Sequence, residues 1–261
     1  GKIVLQMPNR LQPRGDRSYL VTGGLGAIGL HLAAYLAQLG AGDIVLTSRR
    51  APDADAQRTI GEIVERYRCR IHTFAADVGD ESEVSKLVER IRAELPPLAG
   101  VAHLAGVLDD ALLSQQSVER FRTTLAPKAF GASYLDRATK DDDLDFFIVS
   151  SSVSSLLGSP GQANYSTANA WLDGLVAQRK ALGLPATGVN FGPWAQGGMA
   201  SSEAARANIG AQGLVSLDPS AALNALAEAV ANGTGQATVI KANWQRVAKV
   251  LGSSRPPILD L

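Results

Sequence analysis

Ser152, Tyr165 and Lys128 are the side chains whose types best suit proton delivery to a carbonyl oxygen. Reduction of a ketone needs a hydride and a proton for the developing alkoxide. A serine hydroxyl can hydrogen-bond that oxygen and a tyrosine hydroxyl can protonate it. Tyr165 lies 13 residues beyond Ser152, across a loop containing glycine and proline, and Asn169 follows four residues later, one turn along the same helical face. A phenol with a pKa of about 10 is a poor acid–base group at neutral pH unless a nearby cation favours its phenolate. Lys128, in a helical segment upstream, is the candidate cation.

The source of hydride is signalled near the start of the chain. Thr22-Gly23-Gly24-Leu25-Gly26-Ala27-Ile28-Gly29 holds the spacing Gly24-x-Gly26-x-x-Gly29 between an apolar strand pattern and a helical one. That is a dinucleotide fingerprint: glycines let the backbone approach the pyrophosphate, and the helix N-terminus offers N–H groups and positive potential. At the end of the second strand stand Ser48-Arg49-Arg50, with no carboxylate for an NAD ribose. A guanidinium suits a 2′-phosphate, so the expected cofactor is NADPH. Asp77-Val78, after the third strand, place a carboxylate within reach of an adenine amino group, although Asp77 also fits a turn or a helix cap before Glu81. Ala105 and Gly106, after the fourth strand, are small enough to let a cofactor lie on the backbone. His103, just before them, reads as a packed, hydrogen-bonded histidine.

The elements that must position these groups follow from alternating β-branched runs and helical patterns. Strands are expected at Tyr19–Thr22, Ile44–Thr47, Ile71–Ala76, Val101–Leu104, Phe146–Ser150, Thr187–Phe191 and Ala237–Ile240. Helices are expected at Ile28–Leu39, Ala56–Tyr67, Glu81–Glu94, Val118–Ala138 with a bend near Pro127, Asn164–Leu182 and Pro219–Ala231. Residues 192–218, rich in Gly, Ala and Ser, read as a mobile loop with short helices. The pattern predicts an α/β fold of Rossmann type: a doubly wound, mostly parallel seven-stranded sheet with helices on both faces. Residues 18–245 form this domain. Residues 1–17 read as a strand, Gly1–Leu5, and a linker from a preceding domain, and residues 246–261, with Pro256 and Pro257, as a C-terminal linker. Linkers at both ends suggest a module cut from a longer chain.

Composition narrows the class. The 261 residues carry 25 basic and 25 acidic side chains, so nothing in the charge balance points to nucleic acid. No run approaches the ~20 apolar residues of a membrane span, and no leader resembles a signal peptide. Cys69 is the single cysteine, has no metal-ligand company and fits a reducing cytoplasm as a structural residue.

The glycine string with Ser152, Tyr165 and Asn169 resembles the short-chain dehydrogenase/reductases. Most members of that family carry lysine four residues after the tyrosine. Here Asn169 stands there and the lysine is Lys128, an exchange similar to the ketoreductase domains of type I polyketide and fatty acid synthases. Ser48-Arg49-Arg50, Gly106-Val107-Leu108-Asp109-Asp110, Gly158 through Tyr165, and Ala168 through Asp173 agree, and the resemblance covers roughly residues 18–245. It implies Tyr165 as proton donor, Ser152 as carbonyl ligand, and Lys128 and Asn169 as supports for the tyrosine. It implies a glycine loop of Gly23, Gly24, Leu25, Gly26 and Ile28 with Ser48, Arg49, Asp77, Val78, Ala105 and Gly106 on the cofactor. The implied substrate is a β-ketoacyl thioester on the phosphopantetheine arm of an acyl carrier protein. Leu108, Asp109 and Asp110, with Leu157 eight residues before Tyr165, Pro160 and Asn164, match the B-type pattern, which implies a D-configured alcohol; Thr167, where an epimerised-methyl subtype has proline, argues against that subtype. Gly1–Leu5 resembles the end of an enoyl reductase, so the chain would be the catalytic half, partnered by a structural half and by neighbouring enoyl reductase and dehydratase domains. Two other readings stay open: a free-standing reductase of a small ketone, and a catalytically silent scaffolding domain.

Overall fold

The computed structural model describes residues 11–195 and 209–252. The expected strand Gly1–Leu5, the tail from Ser253 and the middle of the 192–218 loop lie outside these residues.

In chain order the elements are β1 (Ser18–Thr22), α1 (Ala27–Gln38), β2 (Asp43–Ser48), α2 (Ala54–Tyr67), β3 (Arg70–Ala75), α3 (Glu81–Glu94), β4 (Leu98–His103), α4 (Val118–Leu125), α5 (Gly131–Ala138), β5 (Phe146–Ser152), α6 (Ser154–Leu157), α7 (Ala163–Ala181), β6 (Thr187–Phe191), β7 (Leu214–Val215), α8 (Pro219–Ala231), β8 (Gln236–Val239), β9 (Lys241–Ala242) and α9 (Trp244–Leu251). Seven strands form one sheet in the order β3-β2-β1-β4-β5-β6-β8, and every pair in it is parallel. A second, two-stranded antiparallel sheet of β7 and β9 was not expected from the sequence.

Alternation along the strands divides the core into two layers. Tyr19, Val21, Ile44, Leu46, Phe146 and Ile148 pack with Leu32 and Leu36 of α1, Ile63 of α2 and Leu226 of α8. Their neighbours Leu20, Val45, Val101, Phe147 and Val149 face Val84 and Ile91 of α3, Leu135 of α5 and Leu172 of α7. Both faces of the central strands β1, β2, β4, β5 and β6 are therefore covered, which explains their apolar middles, while the edge strands β3 and β8 remain partly exposed. Full burial of each such side chain contributes ~1.5–3 kcal/mol. The strand order reverses between β1 and β4. The carboxyl ends of these two strands open a crevice, the place where doubly wound sheets bind ligands.

The helix expected over Val118–Ala138 is interrupted as anticipated near Pro127. Between α4 and α5 the backbone makes one π-helical turn, Ala126–Phe130, in which Lys128 is buried. Such turns re-aim side chains and recur at functional sites.

Both domain ends differ from the expected linkers. Leu11 and Pro13 are buried, Arg14 N–H donates to Tyr19 Oη at 2.6 Å, and the Arg14 guanidinium pairs with Asp145 at 3.0 Å, so residues 11–17 pack on the sheet. At the other end, α9 runs across position 246, capped by the Asn243 side chain and seated through the buried Val247. Its few apolar residues are enough because one face alone needs covering.

Candidate active site

The groups singled out for proton delivery come from three separate elements that the fold brings together. Ser152 is the last residue of β5, and Tyr165 and Asn169 lie in the first turns of α7. The π turn supplies Lys128, whose Nζ donates to the Ser150 carbonyl at 2.9 Å and stands 5.3 Å from the centre of the Tyr165 ring. Burial pulls the Lys128 pKa down from 10.5 to about 8, and the charge of Asp173 works against that fall. Burial pushes the Tyr165 phenol up, the Asn169 amide and Ser152 hydroxyl pull it down, and Asp110 adds to the rise. Asn169 Nδ2 donates to the Tyr165 carbonyl at 2.8 Å, while its buried Oδ1 has no protein donor.

His103 is a clamp beneath this cluster. Its Nε2 faces the Lys128 carbonyl at 2.8 Å and its Nδ1 faces Thr22 Oγ1 at 2.7 Å. A carbonyl only accepts, so Nε2 carries the proton and Nδ1 accepts from Thr22. Burial takes the His103 pKa down to about 4, so it is neutral, and it ties the π turn to β4 and β1.

The segment Leu108–Asp110 is sewn to the start of α7. Asn164 is completely buried, donates Nδ2 to the Asp109 carbonyl at 2.7 Å and to Thr124 Oγ1 at 3.1 Å, and accepts from Tyr165 N–H at 2.8 Å. Gln162 donates to Asp110 at 2.9 Å, Ala111 N–H to the Gly161 carbonyl at 2.9 Å, and Arg120 pairs with Asp109. Leu157 sits half-buried at the end of α6, and Pro160 is exposed in the loop before α7.

On the other side of the crevice, the glycine loop is shaped by backbone contacts. Gly23 has φ 64°, and a Cβ on it would fall 2.9 Å from Ala105 N; a Cβ on Gly29 would meet the Gly23 carbonyl at 2.5 Å. Leu25 and Ile28 are half-buried and pack against the α1 side of the core. Side chains cap α2, α3 and α4, but α1 begins at Gly26 with no capping side chain and no acidic residue in its first turn. Gly23, Ser48, Arg49, Asp77, Val78, Ala105 and Gly106 line one cleft. Arg49 is exposed and makes no ion pair among the described residues. Asp77 does not cap α3, a task taken by Asp80; its Oδ1 accepts from Gly79 N–H at 2.9 Å. An uncapped helix start, a glycine-rich loop and a guanidinium that makes no ion pair among the described residues fit a nicotinamide dinucleotide.

Sequence reasoning did not single out Ser155, Asp173 or Asn190, which pack against the end of β5. Two signals were present: Asp173 continues the four-residue spacing of Tyr165 and Asn169, and Asn190 is an amide in a wholly buried strand.

Among the described residues no helix is long and apolar enough to cross a membrane. The family model for the KR domain matches residues 17–196. Polyketide synthase GfsA of Streptomyces halstedii is 44% identical over 268 residues, covering 100% of this chain and 4% of its own length. An A-type ketoreductase from a modular polyketide synthase superposes with a TM-score of 0.89 at 34% identity, covering 98% of this chain and 54% of the other. The first ketoreductase of the tylosin polyketide synthase gives 0.85 at 39% identity, covering 95% and 53%. The chain thus spans about half of these solved domains and a small part of the synthase. With its parallel sheet, glycine loop and serine–tyrosine–lysine cluster, it belongs to the KR-domain family, the oxidoreductase domains of polyketide synthases.

Proposed function

We propose that this chain uses NADPH to reduce a β-ketoacyl thioester, carried on the phosphopantetheine arm of an acyl carrier protein, to a D-configured β-hydroxyacyl thioester. The observation that carries this reading is the meeting of Tyr165, Ser152 and the buried Lys128 beside the glycine-loop crevice. When bound, the dinucleotide supplies the hydride. Within the glycine loop the N–H groups of Gly24 and Gly26 bond the Thr47 and Gly23 carbonyls, and those of Leu25 and Ile28 are left for its pyrophosphate; Arg49 suits its 2′-phosphate, and Asp77 and Val78, lining the same cleft, support a role for them at the adenine. The Ser152 hydroxyl donates to the substrate carbonyl oxygen and Tyr165 Oη passes it a proton. The charge on Lys128 favours the phenolate left behind, and Asn169 Oδ1 offers an acceptor for the relay that restores the proton.

Stereochemistry rests on the loops. An A-type ketoreductase shares this fold at a TM-score of 0.89, so the sheet and helices do not separate the types. The residues Leu108, Asp109 and Asp110, with Asn164 on the Asp109 carbonyl, and Leu157 and Pro160 support the B-type assignment and the D product. The structural half of the ketoreductase and the adjoining enoyl reductase and dehydratase domains are the proposed partners within one polypeptide, in the cytoplasm.

The test gives the full chain β-ketoacyl thioesters of acyl carrier protein or cysteamine, simple ketones, and NADPH or NADH, and resolves the alcohol by chiral chromatography. Thioester reduction with NADPH to D-alcohol is expected, and Arg49→Ala should weaken NADPH by about 1.5–3 kcal/mol while sparing NADH. Preference for simple ketones would favour a free-standing reductase, binding without turnover a scaffold, and L-alcohol would overturn the B-type assignment alone.

A further inference from the structure

Asp173 stands eight residues beyond Tyr165 on α7, so Tyr165, Asn169 and Asp173 lie one above another on a single helix face. Its carboxylate gathers donors from three elements: Ser155 Oγ of α6 at 2.7 Å, Gln236 Nε2 of β8 at 2.8 Å and Asn190 Nδ2 of β6 at 3.1 Å. Asn190 has no solvent exposure, and burying an amide is unfavourable unless its hydrogen bonds are made. They are made here, and they converge on the end of β5. Asn190 Nδ2 is 3.0 Å from Ser151 Oγ and 3.3 Å from the Ser152 carbonyl, and Ser155 Oγ, whose single proton is shared with the Asp173 carboxylate, is 2.9 Å from that same carbonyl. With Lys128 on the Ser150 carbonyl, three consecutive residues of β5 are gripped by polar side chains. An apolar layer would hold the strand, but only directed hydrogen bonds fix the azimuth of its last residue.

We propose that Asp173 is a positioning residue for the reduction: through Ser155 and Asn190 it fixes the Ser150–Ser152 strand end, and with it the Ser152 hydroxyl, opposite Tyr165. This rests on the ketoreductase reading above. Asp173 touches neither substrate nor cofactor in this scheme; it acts through the residues it orders. Its charge has a second consequence. Lys128 faces Tyr165 and Asp173 from α7 and the neutral His103 from β4, and Asp173 is the group that opposes the loss of its proton.

The test compares wild type, Asp173→Asn, Ser155→Ala and the double variant in the full chain, with a β-ketoacyl cysteamine thioester and NADPH. Asp173→Asn keeps size and one acceptor oxygen but removes the charge. Its kcat should fall by about 10- to 100-fold, the range expected when a reacting group is displaced by a fraction of an ångström to an ångström. NADPH affinity should stay within about twofold, because the cofactor loop lies across the crevice. The alkaline limb of kcat, set in wild type near the Lys128 value of about 8, should move to lower pH. Ser155→Ala should lose less, and the double variant no more than Asp173→Asn, since both act through one network. A folded Asp173→Asn with wild-type kcat and alkaline limb overturns the proposal, as does a Ser155→Ala that adds fully to it. Should Asp173→Asn fail to fold, an unchanged kcat in Ser155→Ala overturns it instead. A wild-type chain that binds NADPH but reduces no thioester would defeat the underlying reading, a result distinct from an active wild type indifferent to Asp173.

Discussion

The two ends of the central sheet both bury polar groups, and the carboxyl end leaves some of them short of partners. At the amino ends of the strands, Asp43 opens β2 with its side chain only 2% exposed. Arg70 donates to it from Nε at 2.8 Å and Nη2 at 2.5 Å, and His72 Nε2 stands 2.8 Å away. Burial pushes the Asp43 carboxyl up, yet these partners bring it below the usual carboxylate value. Asp145, exposed beside the same end, is also partnered, by Arg14 and by Tyr19 Oη at 3.3 Å. At the carboxyl ends the network around Asp173 and Asn190 is saturated too, but the reacting groups beside it are not. Lys128 is held below its ordinary pKa, Tyr165 above its own, and Asn169 Oδ1 has no protein donor. Saturated groups stabilise a fold; groups left short of partners stay ready to bond something else.

The contrast can be broken most sharply at Tyr165. Tyr165→Phe keeps the ring and removes the proton donor, so turnover should fall by about 10²–10⁴-fold with melting temperature and NADPH affinity nearly intact. Substantial residual rate would mean that another group is the acid.

At the other end, Asp43→Ala should do the reverse. Arg70 is 62% exposed and can turn to water, which limits the loss to about 2–3 kcal/mol of stability, read by thermal melting, with kcat unchanged where the chain is folded. Because the folded Asp43 pKa is lowered, its contribution is present above the unfolded value and disappears as pH falls through the folded one. The difference between wild type and variant should therefore shrink in acid. A matching loss of kcat would show that the two ends are coupled.

The smallest expected change in stability is the most diagnostic. Lys128→Met should abolish most activity and yet raise stability at neutral pH by about 1–2 kcal/mol. The depressed pKa implies a cost on the order of 3 kcal/mol for the buried charge, offset by about 1 kcal/mol from the lost Ser150 hydrogen bond. Between pH 8 and 10.5 the unfolded chain holds the Lys128 proton and the folded chain does not, so wild-type stability gains from this group as pH rises. Melting at neutral and alkaline pH should show the variant's advantage fading across that window; a variant less stable at neutral pH would place Lys128 among the saturated groups.

Particular residues show how far the sequence reaches. The glycine loop was legible because its work is done by the backbone, and the glycines that permit that backbone are adjacent in the chain. The sheet was legible because the middles of strands buried on both faces are apolar, and the bend at Pro127 because proline lacks an N–H. Helix α9 was missed across position 246 because a helix covering one small patch needs few apolar residues, and residues 11–17 because a short docked segment has no periodicity.

What the sequence by itself determined was the order of elements, the glycine loop between the first strand and helix, and the presence of Ser152, Tyr165 and Asn169 at usable spacing. Only the tertiary structure decided which polar groups are saturated and which are left poised. Asn164 meets Asp109 across 55 positions, Asp173 meets Asn190 across 17, and Lys128 turns inward on a π turn toward a strand 22 residues away. Hydrogen-bond satisfaction is a property of pairs brought together by packing, and local composition carries no record of a partner that distant.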